Sequence, residues 1–101
     1  MIMPVKSNSA KKISYWTVYI VRCANDSLYT GITNNLAGRI ADHNAGRGAK
    51  YTAAFGPVEL VWKTRKKDRS AASILEAAIK KLSRGEKDAL IAAKSLKKRK
   101  V

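Results

Sequence analysis

Five polar side chains stand at positions from which they could carry chemistry: Tyr19, Tyr29, Arg39, His43 and Glu76. Arg39 and His43 are four residues apart, so on a helix they project from the same face. The tyrosines fall in two stretches typical of neighbouring strands, and Glu76 flanks the apolar stripe of a later helix. Each residue alone has a structural explanation in packing or solvation. Their joint occurrence makes an active site the hypothesis to test.

The residue inventory excludes several other kinds of active site. The chain has a single histidine and a single cysteine, Cys23, so neither a His/Cys zinc site nor a disulfide framework can form. Cys23 is expected to be a small buried hydrophobic residue. No G-x-S-x-G motif occurs, and the run from Gly46 to Lys50 lacks P-loop spacing. We expect that run to be a flexible basic loop.

The elements that position these residues begin with a predicted hairpin. Residues 15–23 and 28–32 are rich in β-branched and aromatic residues, and a turn-forming stretch separates them. A two-residue turn at Asn25-Asp26 would point the two tyrosines to opposite faces of the sheet. A shared site therefore requires a three-residue loop, such as Ala24-Asn25-Asp26, or a bulge.

Helices and a third strand complete the prediction. Residues 33–35 offer N-cap oxygens for a helix that runs to Asn44 and stops at Gly46. Residues 46–56 are predicted as loop, and a strand over 58–63 must lie at a sheet edge or begin at Pro57. Asp68 or Ser70 caps the next helix, and residues 83–86 have capping-box spacing for the last. The fold class is α+β, a small three-stranded antiparallel sheet flanked by helices in the order β-β-α-β-α-α.

The charge points to a polyanionic partner. The 101 residues carry 21 Lys or Arg against 7 Asp or Glu, a net charge of +14. We expect a flexible basic segment at 1–12, one domain at 13–93 and a basic tail at 94–101, and the body without both ends is still positive. Nucleic acid is the commonest partner of such a surface. No apolar run is long enough to span a membrane and no signal peptide is apparent, so we expect a cytoplasmic location and no membrane partner.

The order of the motifs resembles a known family. Thr17-Val18-Tyr19 is followed, after nine residues, by Tyr29-Thr30-Gly31; Arg39, His43 and a helical Glu76 come next, with a loop Gly46-x-Gly48-Ala49-Lys50-Tyr51-Thr52. This arrangement resembles the GIY-YIG nuclease superfamily, in particular its small stand-alone bacterial members. The resemblance runs from about residue 15 to residue 91.

The resemblance implies an activity and roles for the site residues. The reaction would be hydrolysis of a DNA phosphodiester with one divalent cation, Mg²⁺, for which Mn²⁺ can substitute. Glu76 would be the metal ligand, Tyr19 or Tyr29 the base and Arg39 the phosphate clamp, and His43 could share or take over proton handling. One carboxylate suffices for a hard cation that keeps its water. A tyrosine base requires cationic neighbours that favour phenolate, which Arg39 and the metal could supply.

The expected partner is DNA, read by its structure rather than its sequence, because contacts to the backbone carry no sequence information. Branched, nicked or single-stranded DNA is the expected substrate in repair or processing, in the bacterial cytosol or nucleoid, and RNA stays open. The residues expected to contact nucleic acid are Gly31, Arg47, Lys50, Tyr51, Lys80, Lys97, Lys98, Arg99 and Lys100. The alternatives are a non-catalytic DNA- or RNA-binding protein on the same scaffold and a ribosome-associated RNA protein.

Overall fold

The computed structural model describes residues 15–99, in which three strands and four helices are found. The strands are β1 (Trp16–Cys23), β2 (Leu28–Thr33) and β3 (Val58–Lys66), and the helices are α1 (Leu36–Asn44), α2 (Lys50–Phe55), α3 (Arg69–Lys80) and α4 (Arg84–Arg99). The antiparallel sheet has the order β2-β1-β3. The predicted α+β class is therefore confirmed, and β3 both begins directly after Pro57 and lies at an edge, the two positions that the proline allows. The predicted basic segment at 1–12 lies outside the described residues.

The hairpin register places both tyrosines on one face of the sheet. Tyr19 pairs with Gly31 and Val21 with Tyr29, and the Cys23 amide donates to the Ser27 carbonyl. The loop therefore contains three residues, 24–26, as a shared site requires. Its last residue, Asp26, has φ of 72°, a left-handed conformation that aspartate tolerates better than most residues.

The two faces of the sheet carry separate apolar clusters. On the face that packs against α3 and α4, here called the α3 face, the buried residues are Val18, Ile20, Trp62, Ala72 and Ile79. On the opposite face, here called the α1 face, Tyr19, Val21, Cys23 and Val58 are buried, with Leu36 and Ile40 of α1 packed against them. Cys23 is thus a buried apolar residue, as predicted. The α1 face also carries the predicted site residues of the hairpin.

Side-chain caps fix the helix boundaries where the sequence predicted them. Asn35 accepts from the Gly38 amide at 3.2 Å, and Asp68 accepts from the Ala71 amide at 2.9 Å. Ser83 and Glu86 form a reciprocal capping box, in which each side chain accepts from the amide of the other. Gly46 follows α1 with φ of 82°, as a left-handed stop should.

Two segments differ from the prediction. Residues 46–56 were predicted as loop, but they contain α2, whose N-cap residue Ala49 makes no side-chain hydrogen bond. With neither a capping side chain nor an acidic first turn, α2 lacks the local features from which a helix start is predicted. Helix α4 continues through Arg99, so residues 94–99 extend the helix where a tail was predicted.

Candidate active site

A chain of hydrogen bonds links β1, α1 and α2 on the α1 face. The Tyr19 hydroxyl lies 2.9 Å from Nε2 of His43, and Nδ1 of His43 lies 2.6 Å from Oγ1 of Thr52. Thr52 in turn donates to the Ala49 carbonyl at 3.0 Å. A carbonyl only accepts, so the single hydroxyl proton of Thr52 is committed to Ala49 and Nδ1–H must donate to Thr52. Nε2 therefore accepts from Tyr19, and every proton in the chain has a defined position.

His43 is held in its neutral form by its surroundings. The side chain is 1% exposed. Burial, and after it the charge of Arg39, lowers the pKa of His43, while Asp42 opposes the shift. A neutral imidazole has one free lone pair, which here lies on Nε2. That lone pair is therefore the acceptor of the hydrogen bond from the Tyr19 hydroxyl.

We expect the NMR titration of this single histidine to have its midpoint below pH 6.5, the ordinary value. The unfolded chain then takes up a proton near pH 6.5 while folded His43 stays neutral. Because the unfolded state binds more protons, this residue lowers the free energy of unfolding as the pH falls from about 6.5 through the folded pKa. The urea-denatured protein, titrated in parallel, is the control. A folded midpoint at or above the denatured one would contradict the neutral assignment.

The Tyr19 hydroxyl is a protonated phenol in the free protein. Tyr19 is 1% exposed, and burial is the main cause that raises its pKa. A hydrogen bond from Arg39 lowers the pKa, whereas Tyr29 and the carboxylate of Glu76 raise it. The cationic neighbour expected to favour phenolate is thus present, but burial outweighs it. Removal of the proton needs a direct acceptor, and Nε2 of His43 occupies that position.

Two glycines make room for the Tyr19–His43 pair. A Cβ atom at Gly31 would collide with the Tyr19 hydroxyl, and one at Gly48 would collide with Nδ1 of His43. Gly31 is itself buried. The structure thus gives Gly31 a packing role beneath Tyr19, and its contact with nucleic acid stays a prediction.

Tyr29 shares the site without taking part in the hydrogen-bonded chain. Its ring meets the His43 ring edge-on, with the centroids 5.4 Å apart, and the Tyr19 ring does the same at 5.8 Å. Edge-to-face contacts of this kind favour a fixed ring orientation. The two tyrosines, which the sequence did not distinguish as bases, therefore differ, because only Tyr19 adds a described hydrogen bond to His43.

Glu76 is the carboxylate whose charge acts on Tyr19 of this cluster. It lies in α3 with its side chain 23% exposed, and Oε2 is 3.2 Å from Nζ of Lys80. Its charge reaches Tyr19, whose pKa it raises. No group of three or more His, Cys, Asp or Glu residues that could hold a metal occurs among residues 15–99. A part-exposed carboxylate alone fits a hard cation such as Mg²⁺, which keeps several waters.

Comparison with known proteins identifies the family to which this chain belongs. The GIY-YIG catalytic domain matches residues 15–88, which include all five candidate residues and Thr52. The chain belongs to the GIY-YIG family. It is 51% identical over 86 residues to a UPF0213 protein of Vibrio cholerae, covering 84% of this chain and 85% of that protein. A UPF0213 protein of Natronomonas pharaonis is 51% identical over 75 residues, which cover 74% of this chain and 88% of that protein.

A solved structure has the same GIY-YIG fold. The solution NMR structure of a UPF0213 protein from Bacillus halodurans matches with a TM-score of 0.53 and 39% identity, covering 79% of this chain and 85% of that one. The predicted resemblance to small stand-alone members is thereby confirmed. The chain belongs to a nuclease superfamily whose domain implies a nucleic-acid substrate and typically a divalent metal. None of the helices described here is long and apolar enough to cross a membrane.

The described residues among those predicted to contact nucleic acid differ in their surroundings. Arg47 pairs with Asp42 at 3.1 Å, Lys50 is exposed at the start of α2, and Lys80 pairs with Glu76. The side chains of Tyr51, Lys97, Lys98 and Arg99, and all of Lys100, lie outside the described part of the chain. Contact of these residues with nucleic acid stays a prediction.

The sequence analysis did not single out Thr52, which bonds to His43, or two basic residues of β3 near the site. Thr52 was quoted only as part of a loop, because nothing local relates it to His43 nine residues earlier. Lys63 and Arg65 lie on the α1 face opposite Tyr19 and Thr17. Their spacing of two residues within a strand-like stretch could have indicated a shared face, but not which face.

Proposed function

We propose that this protein is a divalent-metal-dependent endonuclease that hydrolyses DNA phosphodiesters with little sequence specificity. The observation that carries the proposal is the buried chain from Tyr19 through His43 to Thr52, with Arg39 at its outer end, inside a GIY-YIG domain. A buried tyrosine bonded to a neutral histidine is costly to build for packing alone, and perturbed pKa values cluster at functional sites.

In this proposal Tyr19 is the general base and His43 its proton acceptor. Tyr19 takes a proton from the attacking water while its own hydroxyl proton moves to Nε2 of His43. The hydroxide so formed attacks phosphorus, the bond from phosphorus to the leaving oxygen breaks, and that oxygen departs with the bonding electron pair and takes a proton from solvent water. His43 becomes an imidazolium, whose Nδ1–H continues to donate to Thr52. Arg39, whose pKa the tyrosines and Asp42 raise, stays positive and stabilises the negative charge that develops on the Tyr19 oxygen during the transfer and on the phosphate.

Glu76 would hold the metal, with its carboxylate exchanging Lys80 for the cation. When bound there, Mg²⁺, or Mn²⁺ in its place, would stabilise the negative charge that develops on the phosphate oxygens. A single protein carboxylate leaves most coordination positions to water and substrate.

Nicking of supercoiled plasmid tests the proposal directly. Purified protein should nick the plasmid in Mg²⁺ and not in excess chelator, with a structured RNA as the competing substrate. Persistent DNA binding with no nicking in either Mg²⁺ or Mn²⁺ would instead support the non-catalytic binder. Preference for RNA would overturn the assignment to DNA.

Thr52→Val should lower the single-turnover cleavage rate, because Nδ1 of His43 loses its acceptor and the tautomer is no longer fixed. Loss of the group that orients a metal-bound histidine typically costs about 10–100-fold, and we expect a loss of the same order here. Thr52→Ser keeps the hydroxyl and should restore most activity, and ¹⁵N NMR should report the changed tautomer. The matched control is Thr30→Val, whose buried hydroxyl has no hydrogen-bond partner among the described residues. Equal losses in the two valine variants would show that Thr52 only packs.

A further inference from the structure

A groove of about 440 Å³ lies along the β3 edge of the sheet, near the candidate base. It is lined by Thr17, Leu36, Lys63, Thr64, Arg65 and Lys94. In the β1–β3 register Lys63 is opposite Tyr19 and Arg65 is opposite Thr17. The groove therefore leads away from Tyr19 toward the start of β1, between the first residue of α1 and the side of α4.

The groove carries only positive charge. Lys63, Arg65 and Lys94 contribute cations, and no carboxylate is among the described residues that line it. Lys94 is held at the rim, because Nζ donates to the Lys63 carbonyl and lies 5.0 Å from the centre of the Trp62 ring. A groove with fixed cations and no acid suits a phosphate backbone.

An aromatic ring lies against one of the residues that line the groove, Arg65. Tyr15 is 47% exposed, and the Arg65 guanidinium lies 4.8 Å from its ring centre. Thr17 and Tyr19 lie on the same face of β1, about 7 Å from each other, and Tyr15 directly precedes that strand. The cation over the Tyr15 ring restricts the ring orientation and leaves part of the ring open to solvent.

We propose that this groove holds an unpaired strand of DNA next to the bond to be cut, with one base stacked on Tyr15. The inference rests on the proposed function and names the substrate feature that the site recognises. A basic groove combined with an exposed aromatic ring is the usual means of binding single strands. Bases inside a duplex are already stacked on each other, so only an unpaired base presents a face to Tyr15. The substrate is therefore DNA with a single-stranded extension or flap.

Binding in excess chelator tests this inference without cleavage. The probes are a labelled blunt duplex and the same duplex with a single-stranded extension, titrated by fluorescence anisotropy at one salt concentration. The general attraction of a protein with net charge +14 applies to both probes. Stacking of one base predicts at least about five-fold tighter binding of the extended probe. Tyr15→Leu should remove that preference and leave the affinity for the blunt duplex unchanged.

A pair of arginine variants separates the groove from overall charge. Arg65→Gln and Arg69→Gln each remove one positive charge. Both arginines stack on an aromatic ring: Arg65 on Tyr15, and Arg69 on Trp16 of the α3 face, where the guanidinium lies 5.3 Å from the ring centre. Arg65→Gln should weaken binding of the extended probe and reduce its salt slope by about 0.7, the value for one phosphate on a single strand. Arg69→Gln should leave the preference for the extension intact. Equal effects of the two variants, or no preference in the wild-type protein, would overturn the inference.

The results also distinguish this inference from the proposed function. A protein that prefers the extended probe but in Mg²⁺ cleaves neither plasmid nor that probe supports the groove and overturns the nuclease. A protein that nicks plasmid but binds both probes equally overturns the groove alone.

Discussion

Glu76→Ala is expected to reduce plasmid nicking by about 100-fold or more while DNA binding is retained. If Glu76 holds the metal, its loss removes a large electrostatic stabilisation of the transition state. The net charge rises from +14 to +15, so the affinity for DNA should stay the same or increase slightly. Any residual activity should depend less on Mg²⁺ concentration.

Glu59→Ala is the matched control for this variant, since Glu59 is an exposed carboxylate of β3 and its removal causes the same charge change. Alanine favours helix at position 76, and the lost ion pair with Lys80 is part-exposed, worth about 1 kcal/mol at most. Misfolding is therefore a poor explanation for lost activity, and thermal denaturation checks it. Wild-type nicking by Glu76→Ala would remove Glu76 from the mechanism and favour the binder.

Tyr19→Phe should lower the cleavage rate by about 10²–10⁴-fold, the range typical for the loss of a general base. The ring and its contacts remain, but the group that passes the proton of water to His43 is gone. Tyr29→Phe removes a hydroxyl from the same face of the sheet and should cost much less. Single-turnover rates of the two variants, measured at one Mg²⁺ concentration, therefore identify the base.

Stability provides a second reading of the same pair of variants. Without the Tyr19 hydroxyl, Nε2 of the buried His43 loses its donor, which costs about 1–3 kcal/mol in the free energy of unfolding. Rates are therefore compared below the melting transition of the weaker variant. A larger loss of activity in Tyr29→Phe than in Tyr19→Phe would assign the base to Tyr29.

Local chemistry explains which parts of the fold could be predicted. The helix starts depend on side chains within three residues of the amides they cap, so Asn35, Asp68 and Ser83 are recognisable in the sequence. Helical geometry predicts which face of α3 is apolar, and it predicts that Arg39 and His43 project from the same face of α1. These features need no knowledge of the rest of the chain.

Non-local contacts explain the features that the sequence analysis missed. Helix α2 has no capping side chain, and the hydrogen bond from His43 to Thr52 ties it to α1. That same bond fixes the tautomer of His43, so the direction of proton transfer could not be known before α2 was placed. The groove depends on the register of β3, which contains an irregularity between the partners of Ile20 and Val21. No sequence pattern specifies that shift.

The three-residue loop between β1 and β2 has a consequence for how this family can change its length. Surface loops usually accept insertions and deletions of any size. Here one residue more or less at positions 24–26 would turn Tyr29 to the opposite face from Tyr19, since side chains alternate along a strand. Without a compensating bulge, only changes of two residues preserve the arrangement. The loop contains no proposed catalytic residue, but it must keep an odd number of residues. Its length therefore determines whether the two tyrosines lie on the same face of the sheet.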